Sequence, residues 1–231
     1  PMAGGVAYPS RSGTRAHHEL RQLLAGEGIA LNEIEFIQLT PDVDVASFAG
    51  MLDAGADLGA ACVTVSGDDA DRARLTANFA ALCDLAASFG LRVDLEFMRW
   101  RVVGSLGQAA AVVARADRPN GAVLLDALHL DRSGGAPAQL QDLPPGTIHA
   151  AQLCDARASQ PRTDAEVIAE AREGRLPPGE GELPLAELLR ALPTDTVLSV
   201  EMPLPSMGVV PRLALAHQAT CRVLAVARGS A

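Results

Sequence analysis

The stretch VLLDALH, residues 123–129, decides the fold: an apolar run of strand length stops on a carboxylate, Asp126, with His129 three residues further on. Three other short apolar runs end the same way: Glu96 closes VDLEF, Gln152 falls in AAQLCD, and Glu201 closes LSVEMP. Helical-period segments rich in Ala and Leu separate these runs. The alternation predicts strands at 34–39, 61–66, 92–97, 122–127, 148–153 and 197–202. Helices are expected at 14–26, 44–58, 69–88, 105–116, 136–142, 163–173, 184–191 and 211–228. Capping aspartates fit this scheme, Asp42 or Asp44 before one helix and one in GDDADRA before the next, with Gly90 as a stop.

Every strand is followed by a helix and no connection reads as a hairpin, the pattern of repeated βα units around a parallel sheet. A (β/α) barrel is favoured over a doubly wound sheet, and the lack of a GxGxxG after a first strand removes the dinucleotide-binding version of the latter. The 231 residues are read as one domain, 1–231, because no Pro-, Gly- or Ser-rich linker divides them.

Composition narrows the chemistry. The net charge of −9 argues against a nucleic-acid surface. No apolar run reaches the ~18 residues of a membrane helix and the N-terminal stretch has no export pattern, so a cytoplasmic protein is expected. Four widely spaced cysteines make neither a zinc ribbon nor a disulfide framework. All 19 cationic residues are arginine, which excludes lysine Schiff-base chemistry and a P-loop lysine.

In a parallel barrel every strand opens its carboxyl end on one face, so Glu96, Asp126, Gln152 and Glu201 would converge there. One acid at a strand end is commonly a cap, but gathering three carboxylates without a cation is costly. An all-oxygen shell suits Mg²⁺ or Mn²⁺ better than zinc. Three carboxylates and a divalent ion sum to about −1, which favours neutral polyols and hydroxy-carbonyl compounds as substrates.

The segments VDLEFMRW, VLLDALHLDRSGG, QLCDA, PGEGELPLAELL and LSVEMP resemble the sugar phosphate isomerase/epimerase family, the xylose isomerase-like TIM barrels, over essentially the whole chain. The resemblance implies metal ligands at Glu96, Asp126, Gln152 and Glu201, with the glutamine as in the hydroxypyruvate isomerase branch, and Glu96 and Glu201 as catalytic base and acid. It implies proton transfer through an enediolate, by an isomerase or epimerase of a small sugar or hydroxy-carbonyl compound. An inosose or dehydroshikimate dehydratase-like lyase is the alternative, and a degenerate barrel used for binding or assembly is a third. An endonuclease IV-like reading is disfavoured by five histidines, of which one lies near a proposed ligand.

His129, in the family's Asp-x-x-His pair, is expected to contact substrate. Arg132 either holds a substrate anion or caps a loop, and Trp100 either walls the pocket or simply packs. Asp155 either orients Arg157, or binds substrate, or caps a helix. Glu35 is placed inside the barrel by strand alternation. Counting back from Glu201 as the eighth strand makes 34–39 the third, with PMAGGVAYP resembling the loop after strand two. The first two strands are therefore expected to be missing from this chain, through truncation or with an obligate homo-oligomer, dimer or tetramer, covering the open edges.

Overall fold

A computed structural model describes residues 11–229; the PMAGGVAYP segment lies outside the described residues. Two compact units are present. One is built from the chain up to Glu96 together with Ala111–Ala122, the other from Phe97–Ala110 together with the chain from Val123 onward.

The first unit contains α1 (Arg15–Gly26), β1 (Glu33–Leu39), α2 (Ala49–Asp57), β2 (Cys62–Gly67), α3 (Arg72–Ala87) and β3 (Arg92–Glu96). Its strands are parallel and pair in chain order, with Cys62 opposite Arg92 and Ser66 opposite Glu96. The β2 sequence CVTVSG is buried throughout, as suits a strand covered on both faces. Helix α3 buries Leu75, Phe79, Leu82, Cys83 and Ala86, a stripe at helical spacing. The Asp71 carboxylate accepts from the Ala73 and Arg74 amides to start that helix, and Gly90 at φ +74° follows its end. Asp44, not Asp42, caps a short 3₁₀ turn, Val45–Phe48, that leads into α2.

Next in the chain come α4 (Leu106–Ala116) and β4 (Gly121–Asp126). The second unit continues with α5 (Ala127–Arg132), β5 (Ile148–Leu153), α6 (Asp164–Ala169), α7 (Leu185–Ala191), β6 (Val197–Val200) and α8 (Val209–Ala227). Here β4 pairs with β5 and β5 with β6, again parallel, with Asp126 opposite Gln152 and Leu153 opposite Val200. The apolar run AVLL of β4 is fully buried.

Six strands, none in a hairpin, are thus present among the described residues, where a complete (β/α)₈ barrel has eight. Several segments differ from expectation: the helix expected at 136–142 is a 3₁₀ helix, Pro137–Asp142, and that at 44–58 begins as the 3₁₀ turn before α2. The helix expected at 163–173 breaks into α6 and a π-helical turn, Glu170–Gly174. The segment directly after β4 forms α5, which no helical-period run announces, because Asp126 itself caps it.

Candidate active site and metal centre

Three expected oxygen donors stand at the carboxyl ends of successive strands in the second unit. Asp126 ends β4, is wholly buried, and its Oδ1 accepts a hydrogen bond of 2.8 Å from the His129 amide. Gln152 lies opposite it on β5 and is also buried. Glu201 follows β6, where its amide continues the ladder to the Leu153 carbonyl at 3.0 Å, and its side chain is 40% exposed. A donor half open to solvent beside two closed ones is the arrangement a site needs to admit a ligand.

His129 is buried on α5, and the Trp100 ring meets its imidazole edge-on, with centroids 5.1 Å apart. Burial holds the imidazole down at about 4, so the ring is neutral at neutral pH. Its Nδ1 lies 4.0 Å from Asp126 Oδ1.

The residue that binds this cluster together is one sequence reasoning passed over. Arg175 is 2% exposed, and its Nη1 donates to Asp126 Oδ2 at 2.6 Å and to Cys154 Sγ at 3.2 Å. Its Nη2 lies 2.9 Å from Glu201 Oε2, and Nε donates to the Ala171 carbonyl at 2.8 Å. Burial alone would raise the Asp126 carboxyl, but the adjacent guanidinium outweighs it and the acid stays ionised below its ordinary range. Arg175 is pushed the other way, up, by the same carboxylate. Cys154 is driven up to about 12, chiefly by burial and then by the Asp126 charge, and is an un-ionised neighbour. In sequence, Arg175 is only the arginine before PPGEGELP, 49 positions from its partner.

Other expected contacts are redirected. Arg132 is buried, but its guanidinium is taken by Glu170 at 2.7 and 2.8 Å, by Asp131 and by the Arg157 carbonyl, so it braces loops. Asp155 neither caps a helix nor orients Arg157: its Oδ1 accepts from the Ala156 and Leu183 amides and its Oδ2 from Gly179. The Arg157 side chain is exposed. Trp100 is half-buried and packs on His129.

In the first unit, Glu96 is the last residue of β3 and is buried. Glu35 is exposed on β1, where it lies opposite Thr64 just before the β1–β2 register slips toward Ile37. Glu33, two positions earlier on that strand, accepts from Thr64 Oγ1 at 3.3 Å and is pushed up, chiefly by burial.

The donors fit a hard divalent cation. Asp126 and Glu201 already gather around one positive group, the Arg175 guanidinium, and with the Gln152 amide they form an all-oxygen set. Each carboxylate oxygen that accepts one hydrogen bond retains a further lone pair.

The model of the xylose isomerase-like TIM barrel family matches residues 14–223. The chain is similar to the 3-dehydroshikimate dehydratase of Pseudomonas putida, 30% identical over 184 residues that make up 74% of this chain and 28% of that protein. It is also similar to the Pseudomonas aeruginosa protein of that name, 34% identical over 141 residues, 60% of this chain and 22% of the other. It therefore spans about a quarter of the length of these relatives. Among solved structures, the IOLI protein with a bound zinc atom superposes with a TM-score of 0.77 over 91% of this chain and 82% of that one, at 19% identity, a likeness of fold. Six parallel strands, each leading into helical structure, and a match over nearly the whole described chain agree: the chain belongs to the xylose isomerase-like TIM barrel family.

Proposed function

We propose that this chain is the metal-dependent barrel of a dehydratase acting on a carboxylate-bearing hydroxy-ketone of the 3-dehydroshikimate type. The observation that carries this reading is Arg175, buried between Asp126 and Glu201. Three carboxylates with a divalent ion alone sum to about −1, and the guanidinium brings that to about zero. A site so balanced tolerates a substrate with its own carboxylate, where an uncompensated one would repel it. The two curated relatives named 3-dehydroshikimate dehydratase support the same choice.

In this reading Glu96, Asp126, Gln152 and Glu201 would hold Mg²⁺ or Mn²⁺, whose bound charge would supply Lewis-acid polarisation of the ketone and so a more acidic adjacent C–H. Glu96 or Glu201 takes the proton from that carbon, and the other donates one to the departing β-hydroxyl. The C–H and C–O bonds break, a C=C bond forms, and one water leaves. Neutral His129, packed against Trp100 and with its backbone N–H donating to Asp126 Oδ1, offers an uncharged hydrogen-bonding group to a substrate hydroxyl.

An isomerase or epimerase would use the same carboxylate pair without losing water, and it is the second reading. Incubation of the protein and Mn²⁺ with 3-dehydroshikimate tests both. An aromatic dihydroxybenzoate product, slowed about 100-fold or more by Glu201→Gln, supports the dehydratase. Deuterium uptake into a hydroxy-carbonyl compound with no loss of water supports the isomerase. A chain that does neither and binds no divalent ion is the non-catalytic barrel.

The remaining expectations belong to the same proposal. Four free cysteines among the described residues support a reducing, cytoplasmic setting. No helix among those residues is long and apolar enough to cross a membrane. The exposed Val209, Val210 and Leu213 of α8 support a homo-oligomer, which light scattering measures directly.

A further inference from the structure

The carboxylate of Asp155 has no cation beside it among its described contacts; three backbone N–H groups satisfy it. Two of these, from Gly179 at 2.9 Å and Leu183 at 2.9 Å, belong to the loop that begins directly after Arg175. The backbone repeats the connection. Asp155 and Leu176 exchange both N–H···O bonds at 2.8 Å, and the Glu182 amide donates to the Ala156 carbonyl at 2.8 Å. The Glu182 carboxylate in turn accepts from the Ala158 amide at 2.8 Å. Gly181 passes so close that a Cβ there would run into the Ala156 carbonyl and Asp155 Oδ1. Leu176 is therefore pinned on both its backbone groups, and the residue before it is Arg175.

We propose that Asp155 is a positioning residue: by clamping the loop 176–183 it holds the Arg175 guanidinium between Asp126 and Glu201. A buried arginine loses considerable side-chain entropy, and a backbone anchor one residue away limits how far the guanidinium strays from both carboxylates. Asparagine cannot replace the aspartate. Its NH₂ would point a donor at one of the loop amides, which are donors themselves. This inference stands apart from the proposed chemistry, since it concerns only the protein's own groups and holds whether or not 3-dehydroshikimate is the substrate.

The test is solvent exchange of arginine Nε–H groups by NMR on the full chain, with Arg132, buried in the same unit, as the internal control. The Arg175→Lys and Arg132→Lys variants assign the two signals. Asp155→Asn and Gly181→Ala break the clamp from opposite sides. Each is expected to speed Arg175 Nε–H exchange by about tenfold or more relative to Arg132. Unchanged Arg175 protection in the folded variants, or equal acceleration of both arginines, overturns the proposal. Should neither variant fold, the wild type decides. Arg175 Nε–H and the Gly179 and Leu183 amides are expected to exchange through one opening, with matching denaturant dependence. Independent openings overturn it. Failure of the dehydratase assay leaves these exchange rates untouched, so the two readings fail separately.

Discussion

Asp94 and Asp126 are both strand carboxylates, fully buried and held by arginine, and they differ in where the arginine comes from. Asp94 is gripped by Arg92, two positions earlier on the same face of β3, through two bonds of 2.7 Å. That pair is local in sequence, with the Cys62 thiol and Glu33 beside it, and Arg92 keeps 22% of its side chain in solvent. Asp126 receives Arg175 from 49 positions away, and the guanidinium is shared with Glu201 and Cys154 in full burial. A local partner neutralises a strand acid and ends the matter. A distant, shared partner ties together a strand end, a loop and a second acid, and that convergence is what a ligand site requires.

The contrast can be broken most forcefully at the arginines. Arg175→Met leaves two carboxylates without their counter-charge and is expected to cost about 3–5 kcal/mol. Urea unfolding followed at Trp100, the single tryptophan and a reporter of the second unit, measures it. A loss no larger than that of Arg92→Met would erase the distinction between shared and local pairs.

Acid should act next. His129 has a folded value of about 4, below the ~6.5 of an unfolded histidine. As pH falls the unfolded chain takes up the proton first. The stability from a neutral His129 is therefore complete above about pH 6.5 and lost progressively toward pH 4, about 3 kcal/mol in all. Unfolding midpoints across that window should flatten in His129→Gln. A wild-type curve already flat between these pH values would contradict the burial of the neutral ring.

Titration with Mn²⁺, read as loss of the free-ion EPR signal, sharpens the comparison at the level of the ligand. Asp126→Asn should weaken binding by about 100-fold or more, whereas Asp94→Asn should leave it within about threefold. Equal loss in both would mean that position along the strand does not separate structural from ligating acids. The smallest effect belongs to Arg92→Met, about 2 kcal/mol, since a partly solvated guanidinium gives up less on removal and one buried carboxylate is left behind instead of two.

Much of the site was legible because it rides on strand ends. Asp126, Gln152 and Glu201 occupy the strand-terminal positions that apolar runs and their polar stops foretold. Glu35 sits on a strand whose exposure alternation alone does not foretell, since the register slip right after it interrupts the ladder. Asp155 left a helix cap, an orienter of Arg157 and a substrate contact all open, because a short polar stop after a strand suits each. Here the amides that satisfy it arrive in part from a loop more than twenty positions later. For Arg132 the choice between a substrate anion and a loop was left open, and Glu170, carried by the π-helical turn, takes its guanidinium.

The sequence by itself determined the strand order, the parallel βα architecture and the oxygen donors at strand ends, because each depends on periodicity and capping over a few residues. The tertiary structure alone decided the electrostatics of the second unit. Arg175 meets Asp126 and Glu201 only once the intervening chain has folded back, and a buried charge is placed by the partners that compensate it, whatever their distance in sequence.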